Sequence, residues 1–177
     1  MQAVRQLEER PVRNAIIGIA AGSATGAVAI LWLEPDGTVG GVEVHDLPTV
    51  KVGKRTRPNE VECADLLDLG LDDISAYVGM EQTGSRPGQG VASCYSLGYG
   101  AGLFAGIVSG KGWSWEFVRP QAWKAAMMKG IGDKSKDAAR LCAQKMFPGM
   151  VDSLKRKKDH HRAEALLIAE YTRRRIQ

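Results

Sequence analysis

The stretch "IIGIAAGSATGAVAIL", residues 16–31, has the pattern of a β-hairpin. Its first part, Ile16–Ile19, is a short apolar run of the kind that forms a buried strand. Gly22 and Gly26 follow, and they permit a tight turn. The apolar run from Ala27 to Leu33 then predicts the returning strand. Two antiparallel strands are therefore expected at the start of the folded part of the chain.

The length and composition are those of one ordinary globular domain. The chain has 177 residues, of which 44% are hydrophobic and 25% are charged. We expect residues 1–13 to form an N-terminal extension and residues 14–177 to form one folded domain. The first residues have neither the apolar core of a signal peptide nor the composition of a transit peptide. No apolar run of about 18 residues is present, which predicts no transmembrane helix and no membrane partner.

The rest of the chain mixes strand and helix patterns. Further strands are predicted at Val42–Val44, at 74–81 and at the alternating "WSWEFV", whereas "VKVGKRTRPNE" is predicted to be a basic loop. Helices are predicted over 59–70, 91–109, 120–128, 136–147 and 160–173, with Asn59, Ser135 and Asp159 as N-caps and Gly70 as a C-cap. This order predicts an α/β sandwich with a mixed sheet, and the ribonuclease H-like fold has this order.

Small residues recur along one face of the predicted helix 91–109. Gly98, Gly102 and Gly106 are spaced four residues apart, so they form one stripe along the helix. A stripe of this kind would let another helix approach closely.

Three acidic residues are candidates for a metal site. Hydrolysis of a phosphodiester by two metal ions needs carboxylates that converge from separate elements, and Mg²⁺ prefers oxygen ligands. Glu81 ends an apolar strand, while Asp159 and Glu164 lie around the start of the last helix. Two simpler readings stay open: Glu81 as a solvated loop acid, and Asp159 as only the N-cap of the helix.

Two histidines beside these acids are ambiguous. Either His160 or His161 can share a helix face with Glu164, because they precede it by four and three residues. A histidine in this position could bind a metal ion or move a proton, or it could simply be solvated.

Basic residues surround the same segment. The run "KRKK", residues 155–158, precedes the acids, and a second run, "TRRR", lies at 172–175. The formal net charge of +4 alone is weak evidence for a polyanionic partner. Placed next to acids that would receive a phosphodiester, however, residues 155–158 suit a clamp on a nucleic-acid backbone. A solvated run of charges remains the alternative.

These pieces together resemble the RuvC-type Holliday-junction resolvases, and among them the plant and algal chloroplast type. The resemblance is carried, in order, by the opening hairpin, by "VGMEQ" (78–82), by "PGQGVASCYSLGYGAGLFAGI", by "RPQAWK", by "KSKDAARLCAQKMFP" and by "LKRKKDHHRAEALLIAEY" (154–171). It runs from about residue 14 to residue 172.

The resemblance implies a homodimer that binds a four-way DNA junction and cuts two opposing strands symmetrically and with sequence selectivity. It also implies two Mg²⁺ or Mn²⁺ ions, a chloroplast location and a role in nucleoid segregation. Carried over by position, Glu81, Asp159 and Glu164 match metal-binding acids, and Lys136 matches a lysine near the scissile phosphate. Residues expected to contact DNA are Arg86, Gln89, Lys124, Lys134, Lys155, Arg156, Lys157 and Lys158.

One departure from the family pattern concerns catalysis directly. The family has an aspartate where this chain has Ala20, with Ala21 as the alternative register. Alanine offers no metal ligand, so we expect poor metal binding and extremely slow cleavage. We interpret the chain as a resolvase that has been inactivated by a deliberate substitution, which would let it hold uncut DNA. A second departure is His161, which stands where close relatives have glycine and some bacterial members have a histidine ligand nearby.

Two other functions compete with this interpretation. The first is a DNA-binding protein of the same fold that never cleaves. The second is a fragment of a sugar or acetate kinase, because those enzymes also open with a glycine hairpin after a strand. The length of the chain and the final "DHHRAEALLIAEY" disfavour the kinase.

Overall fold

A five-stranded mixed sheet forms the centre of the computed structural model, which describes residues 13–22, 25–68, 74–84, 87–133 and 135–177. The strands are β1 (Arg13–Ala21), β2 (Gly26–Leu33), β3 (Val39–Asp46), β4 (Thr49–Val52), β5 (Arg55–Pro58), β6 (Ile74–Glu81) and β7 (Ser114–Val118). The helices are α1 (Glu60–Leu66), α2 (Val91–Gly110), α3 (Pro120–Met127), α4 (Lys136–Met146) and α5 (His160–Ile176), and short 3-10 turns at Pro148–Met150, Asp152–Leu154 and Lys157–Asp159 precede α5.

The sheet order is β3-β2-β1-β6-β7. The first three strands form an antiparallel meander, and β6 and β7 continue the sheet parallel to β1. Helices α3, α4 and α5 cover one face, and α1 and α2 cover the other. The predicted α/β sandwich with a mixed five-stranded sheet is confirmed.

Two local expectations need correction. The predicted basic loop after β3 is a second, two-stranded sheet in which β4 pairs with β5 around Gly53, whose φ of 62° suits glycine at a tight turn. Asp159 precedes α5, but its side chain makes no capping hydrogen bond to that helix. It accepts instead from the backbone N–H of Arg156, at 2.8 Å, because the preceding 3-10 turn points the carboxylate backwards.

Two predicted caps are confirmed. Asn59 accepts from the N–H of Glu62 at the start of α1, and Ser135 accepts from the N–H of Ala138 at the start of α4. The predicted C-cap Gly70 and most of the N-terminal extension lie outside the described residues.

Helix α2 exposes the stripe of Gly98, Gly102 and Gly106, and a Cβ at any of them would meet no other atom within 4 Å. Its length and mean hydropathy of 1.4 would allow it to cross a membrane, and only 17% of that stretch is buried. The sequence prediction that no helix is long and apolar enough to span a membrane is therefore wrong for α2. One helix that passes this test is weak evidence for a membrane, because helices of soluble proteins pass it too. In the structure α2 packs on the sheet through Phe104 and Val108.

Helix α5 crosses the sheet in unusually close contact. Gly18 of β1 and Gly79 of β6 are paired neighbours, and both lie beneath α5. A Cβ on Gly18 would clash with the carbonyl oxygen of Ala165 and lie 2.5 Å from the amide nitrogen of Ala169. A Cβ on Gly79 would clash with the Thr172 hydroxyl. The two glycines set the depth at which α5 lies on the sheet.

We expect Gly18→Ala to lower the free energy of unfolding by about 2–3 kcal/mol, because the new methyl group meets backbone atoms that cannot move away. Urea denaturation of the purified chain measures this change. Gly110→Ala is the control, because a Cβ there meets nothing within 4 Å. Equal stability of the two variants would contradict the close approach.

Candidate active site

A cleft of about 780 Å³ lies at the end of the sheet where β1 and β6 finish. The strand ends, the loop before α2, the start of α3 and the first turns of α4 and α5 all contribute to it. Its lining includes Ala20, Ala21, Glu81, Gln89, Arg119, Gln121, Lys124, Lys136, His161 and Glu164. Residues distant in sequence, two acids among them, are thus brought to one place.

Glu81 and Glu164 reach the cleft from different elements. Glu81 ends β6, two residues after Gly79, so it lies on the face that α5 covers. Glu164 precedes Ala165, the residue that contacts Gly18, and its side chain is 7% exposed. The tight contact of α5 with the sheet therefore carries Glu164 to the ends of the strands.

The strand alternation also distinguishes Ala20 from Ala21. Ala20 packs in the core cluster that contains Ala163 and Ala165 of α5, whereas Ala21 packs in the cluster on the α2 side. Only Ala20 is therefore on the same face of the sheet as Glu164. A longer side chain at position 20 would point towards the acids, and one at position 21 would point away from them.

The two acids affect each other electrostatically. Burial, with the nearby Glu164 carboxylate, raises the pKa of Glu81. Burial opposes ionisation of Glu164 as well, but the hydrogen bond and charge of His161 outweigh it, and the pKa of Glu164 is lowered. A cation between the two carboxylates would relieve both their repulsion and their desolvation.

His161 is placed as a member of this group. Its Nδ1 lies 3.5 Å from Oε2 of Glu164, and its Nε2 lies 2.9 Å from the hydroxyl of Thr25, at the start of β2. His160, His161 and Glu164 each offer a ligand atom, and these atoms lie within 4.8 Å of one another. Carboxylates suit Mg²⁺ and Mn²⁺, and an imidazole nitrogen can add a ligand for a divalent transition metal, so the residues present fit a divalent ion.

Asp159 does not line this cleft. Its carboxylate, 5% exposed, accepts from the Arg156 guanidinium at 2.8 and 3.1 Å as well as from the Arg156 backbone. The Arg156 hydrogen bond holds the pKa of Asp159 below its ordinary value, although burial opposes this. The predicted role of Asp159 as a metal ligand is not supported by these contacts, which leave its oxygens occupied by an arginine.

The predicted lysines divide between the cleft and its margin. Lys124 and Lys136 line the cleft, and the Lys136 ammonium donates to Nε2 of His160 at 2.9 Å. Burial and the adjacent His161 lower the pKa of His160. Its Nδ1 lies 3.2 Å from the carbonyl oxygen of Lys157, a geometry that suits a proton on Nδ1 and an acceptor at Nε2. Lys157 and Lys158 are exposed and immediately precede the first turn of α5.

The other residues predicted to contact DNA have varied surroundings. Lys155 pairs with Asp152, Arg156 is engaged by Asp159, and Gln89 donates to Ser93 while it lines the cleft. Arg86 and Lys134 lie outside the described residues.

Residues that the sequence patterns did not indicate also shape the site. Thr25 holds His161, and the indole N–H of Trp123 donates to Oε1 of Glu81 at 3.1 Å. Arg119 adds a further exposed cation to the rim. The sequence gives no signal that Trp123 forms this hydrogen bond. The bond depends on the tertiary packing that places the indole N–H against the end of β6.

The fold and the cleft can be compared with those of known proteins. The described fold superposes on RuvC of Thermus thermophilus in complex with a Holliday junction substrate, with a TM-score of 0.54, 17% identity and coverage of 90% of this chain and 91% of that one. A second RuvC structure from the same organism gives a TM-score of 0.50 with 19% identity over 90% and 92% of the two chains. The chain has the RuvC fold.

The sequence comparison agrees with the structural one. A chloroplastic Holliday junction resolvase of Chlamydomonas reinhardtii, MOC1, is 33% identical over 99 residues, which is 55% of this chain. The match spans 11% of the length of that protein. No family model matches the chain. The resemblance to RuvC-type resolvases that the sequence indicated is confirmed, and the ribonuclease H-like fold with it.

We expect Asp159→Asn to lower the free energy of unfolding by about 1–2 kcal/mol at neutral pH, through the loss of a charge-assisted bond to Arg156. Because the folded pKa of Asp159 lies below the ordinary 3.8, its stabilisation is complete above that pH. The stabilisation is lost as the pH falls through the folded value, so the gap between parent and variant closes in acid.

Urea denaturation at a series of pH values measures the gap. Asp152→Asn is the control, because Asp152 is an exposed partner of Lys155 and is expected to change stability little. A stability unchanged by Asp159→Asn, with metal binding lost instead, would restore Asp159 as a ligand.

Proposed function

We propose that this chain is a RuvC-type endonuclease that recognises four-way DNA junctions, with its cleavage disabled by alanine at position 20. The observation that carries the proposal is the convergence of Glu81, Glu164 and His161 beside Ala20 in one cleft of a RuvC fold. The matched segment of the algal junction resolvase supports the same reaction class.

The proposed metal site consists of Glu81, His161 and Glu164. A bound Mg²⁺ or Mn²⁺ pair would polarise the phosphodiester and supply a hydroxide nucleophile near neutral pH. The residues of this chain would hold the ions, bind the flanking phosphates through Lys124 and Lys136, and exclude bulk water from the buried carboxylates. A carboxylate at position 20 would lie on the same face of the sheet as Glu81 and Glu164, and alanine does not supply one.

A second copy of the chain fits the exposed face of α2. Val91 and Tyr95 are 86% and 72% exposed, and the glycine stripe lies open beside them. An exposed apolar helix with small residues suits close packing against a partner helix. We therefore propose a homodimer, whose paired clefts would cut opposing strands symmetrically. A chloroplast location is proposed only from the similarity to the algal protein.

A non-catalytic junction-binding protein is the second candidate. Ala20 favours it, because alanine offers no metal ligand. The same basic residues would then serve binding alone.

Ala20→Asp is expected to restore Mg²⁺-dependent nicking of a mobile four-way junction, by at least about a thousandfold over the chain as given, because ligands of one catalytic unit act together. Ala20→Asn has nearly the size of aspartate but no negative charge, and Ala21→Asp places the acid on the opposite sheet face. Neither control should cleave.

Denaturing gels of labelled junctions and of linear duplex measure the products. Two symmetric nicks by Ala20→Asp alone support the resolvase. Tight junction binding with no cleavage by any variant supports the non-catalytic candidate. A preference for linear duplex contradicts both.

Lys157→Ala and Lys158→Ala are each expected to weaken junction binding and to reduce the slope of log affinity against log salt by about 1, because each lysine neutralises one phosphate. Fluorescence anisotropy across a salt series measures the slope. Lys145→Ala removes an exposed lysine in the last turn of α4 and should leave the slope unchanged. Equal slopes for all three variants would place DNA away from residues 157–158.

A further inference from the structure

The indole of Trp123 stands behind the candidate metal site. Trp123 lies in α3 and is fully buried, yet its N–H donates to Oε1 of Glu81 at 3.1 Å. A buried tryptophan ring is usually explained by packing, and Trp123 does pack in the core beneath α5. The N–H edge of the ring, however, lies against the end of β6, the strand that carries the candidate ligand Glu81.

This hydrogen bond fixes one oxygen of a carboxylate that could otherwise rotate. Glu81 ends its strand, and its carboxylate would have two or more accessible rotamers at a sheet end. With Oε1 held by the indole, the second oxygen of Glu81 would be the one to bind an ion in the cleft that this residue lines. Partners of this kind orient metal ligands, and their loss usually weakens metal binding by about 10–100-fold.

The same ring also touches a cleft lysine. The Lys124 ammonium lies 5.2 Å from the centroid of the Trp123 ring, within the range of a cation–π contact. The charge of Lys124 acts on both Glu81 and Glu164. One buried side chain therefore contacts both a candidate metal ligand and a candidate phosphate-binding residue.

We propose that Trp123 is a positioning residue of the metal site, which aims the Glu81 carboxylate into the cleft through its indole N–H and holds Lys124 beside it through its ring. This inference rests on the proposed function, because it requires Glu81 to bind the metal. It assigns to α3 a part in metal binding through a buried residue that does not itself line the cleft.

The chain contains a matched control for the loss of an indole N–H. Trp115 of β7 donates its N–H to the hydroxyl of Ser109 at 2.9 Å, on the α2 side of the sheet and away from the cleft. Trp123→Phe and Trp115→Phe therefore remove the same chemical group from the two faces of the sheet.

The test is Mn²⁺ binding, measured by titration calorimetry on the full chain as given and on Ala20→Asp. We expect Trp123→Phe to raise the Mn²⁺ dissociation constant about tenfold and Trp115→Phe to leave it unchanged. Metal-free junction affinity should be the same for both variants, because neither removes a lysine and phenylalanine at position 123 keeps an aromatic ring beside Lys124. A general loss of structure would weaken metal and DNA binding together.

A second variant covers the case in which Trp123→Phe fails to fold. Benzothienylalanine at position 123 keeps the shape of the indole and replaces its N–H with sulfur, so it should fold and still lose the metal affinity. Equal Mn²⁺ affinity of this variant and the parent would overturn the inference, as would absence of saturable Mn²⁺ binding in both position-20 forms. An Ala20→Asp chain that binds Mn²⁺ and never nicks a junction would instead overturn the proposed function alone.

Discussion

The close contact between α5 and the sheet is the constraint on which the candidate site depends. Gly18 and Gly79 are paired on adjacent strands, and neither position has room for a side chain because the backbone and Thr172 of α5 occupy it. The helix must therefore lie in one register on the sheet. That register places Glu164 at the strand ends, immediately before Ala165, the first residue of α5 that contacts Gly18. A bidentate pair between Arg162 and Asp46, at 2.7 and 2.6 Å, fastens the first turn of α5 to the end of β3.

Much of this could be predicted from the sequence, since apolar periodicity and caps report on local structure. The meander, the strand ending at Glu81 and the five main helices follow from such patterns. The pair Glu81 and Glu164 could be inferred because one ends a buried strand and the other lies on a helix face. What the patterns could not give was the direction of each side chain at the start of α5. Asp159 and His161 are both plausible ligands by residue type, and only the short turn before the helix decides that Asp159 faces Arg156 while His161 faces the cleft.

The basic residues of the chain likewise show which features the sequence predicts and which only the structure reveals. The run 172–175 looks as suitable for a polyanion as the run 155–158, yet its arginines are engaged by acids of the domain. Arg173 and Arg174 both hold the buried Glu170, and Arg175 holds Glu116. These three arginines therefore stabilise the end of α5 distant from the cleft. A basic run becomes a candidate nucleic-acid contact only where, as at Lys157 and Lys158, it is exposed next to the cleft.

Position 20 connects these observations to the chemistry. Burial, with the nearby Glu164 carboxylate, raises the pKa of Glu81, so the two acids of the cleft already disfavour being charged together. A third carboxylate at position 20 would increase that repulsion, and bound cations would offset it. Alanine at this position therefore adds no electrostatic cost to folding the site without metal, and it offers no atom to a metal ion. The cluster of Glu81, His161 and Glu164, with its supports Thr25 and Trp123, remains assembled around the missing group. The proposed function therefore depends on one side chain, because an aspartate at position 20 is expected to distinguish a nuclease from a junction-binding protein.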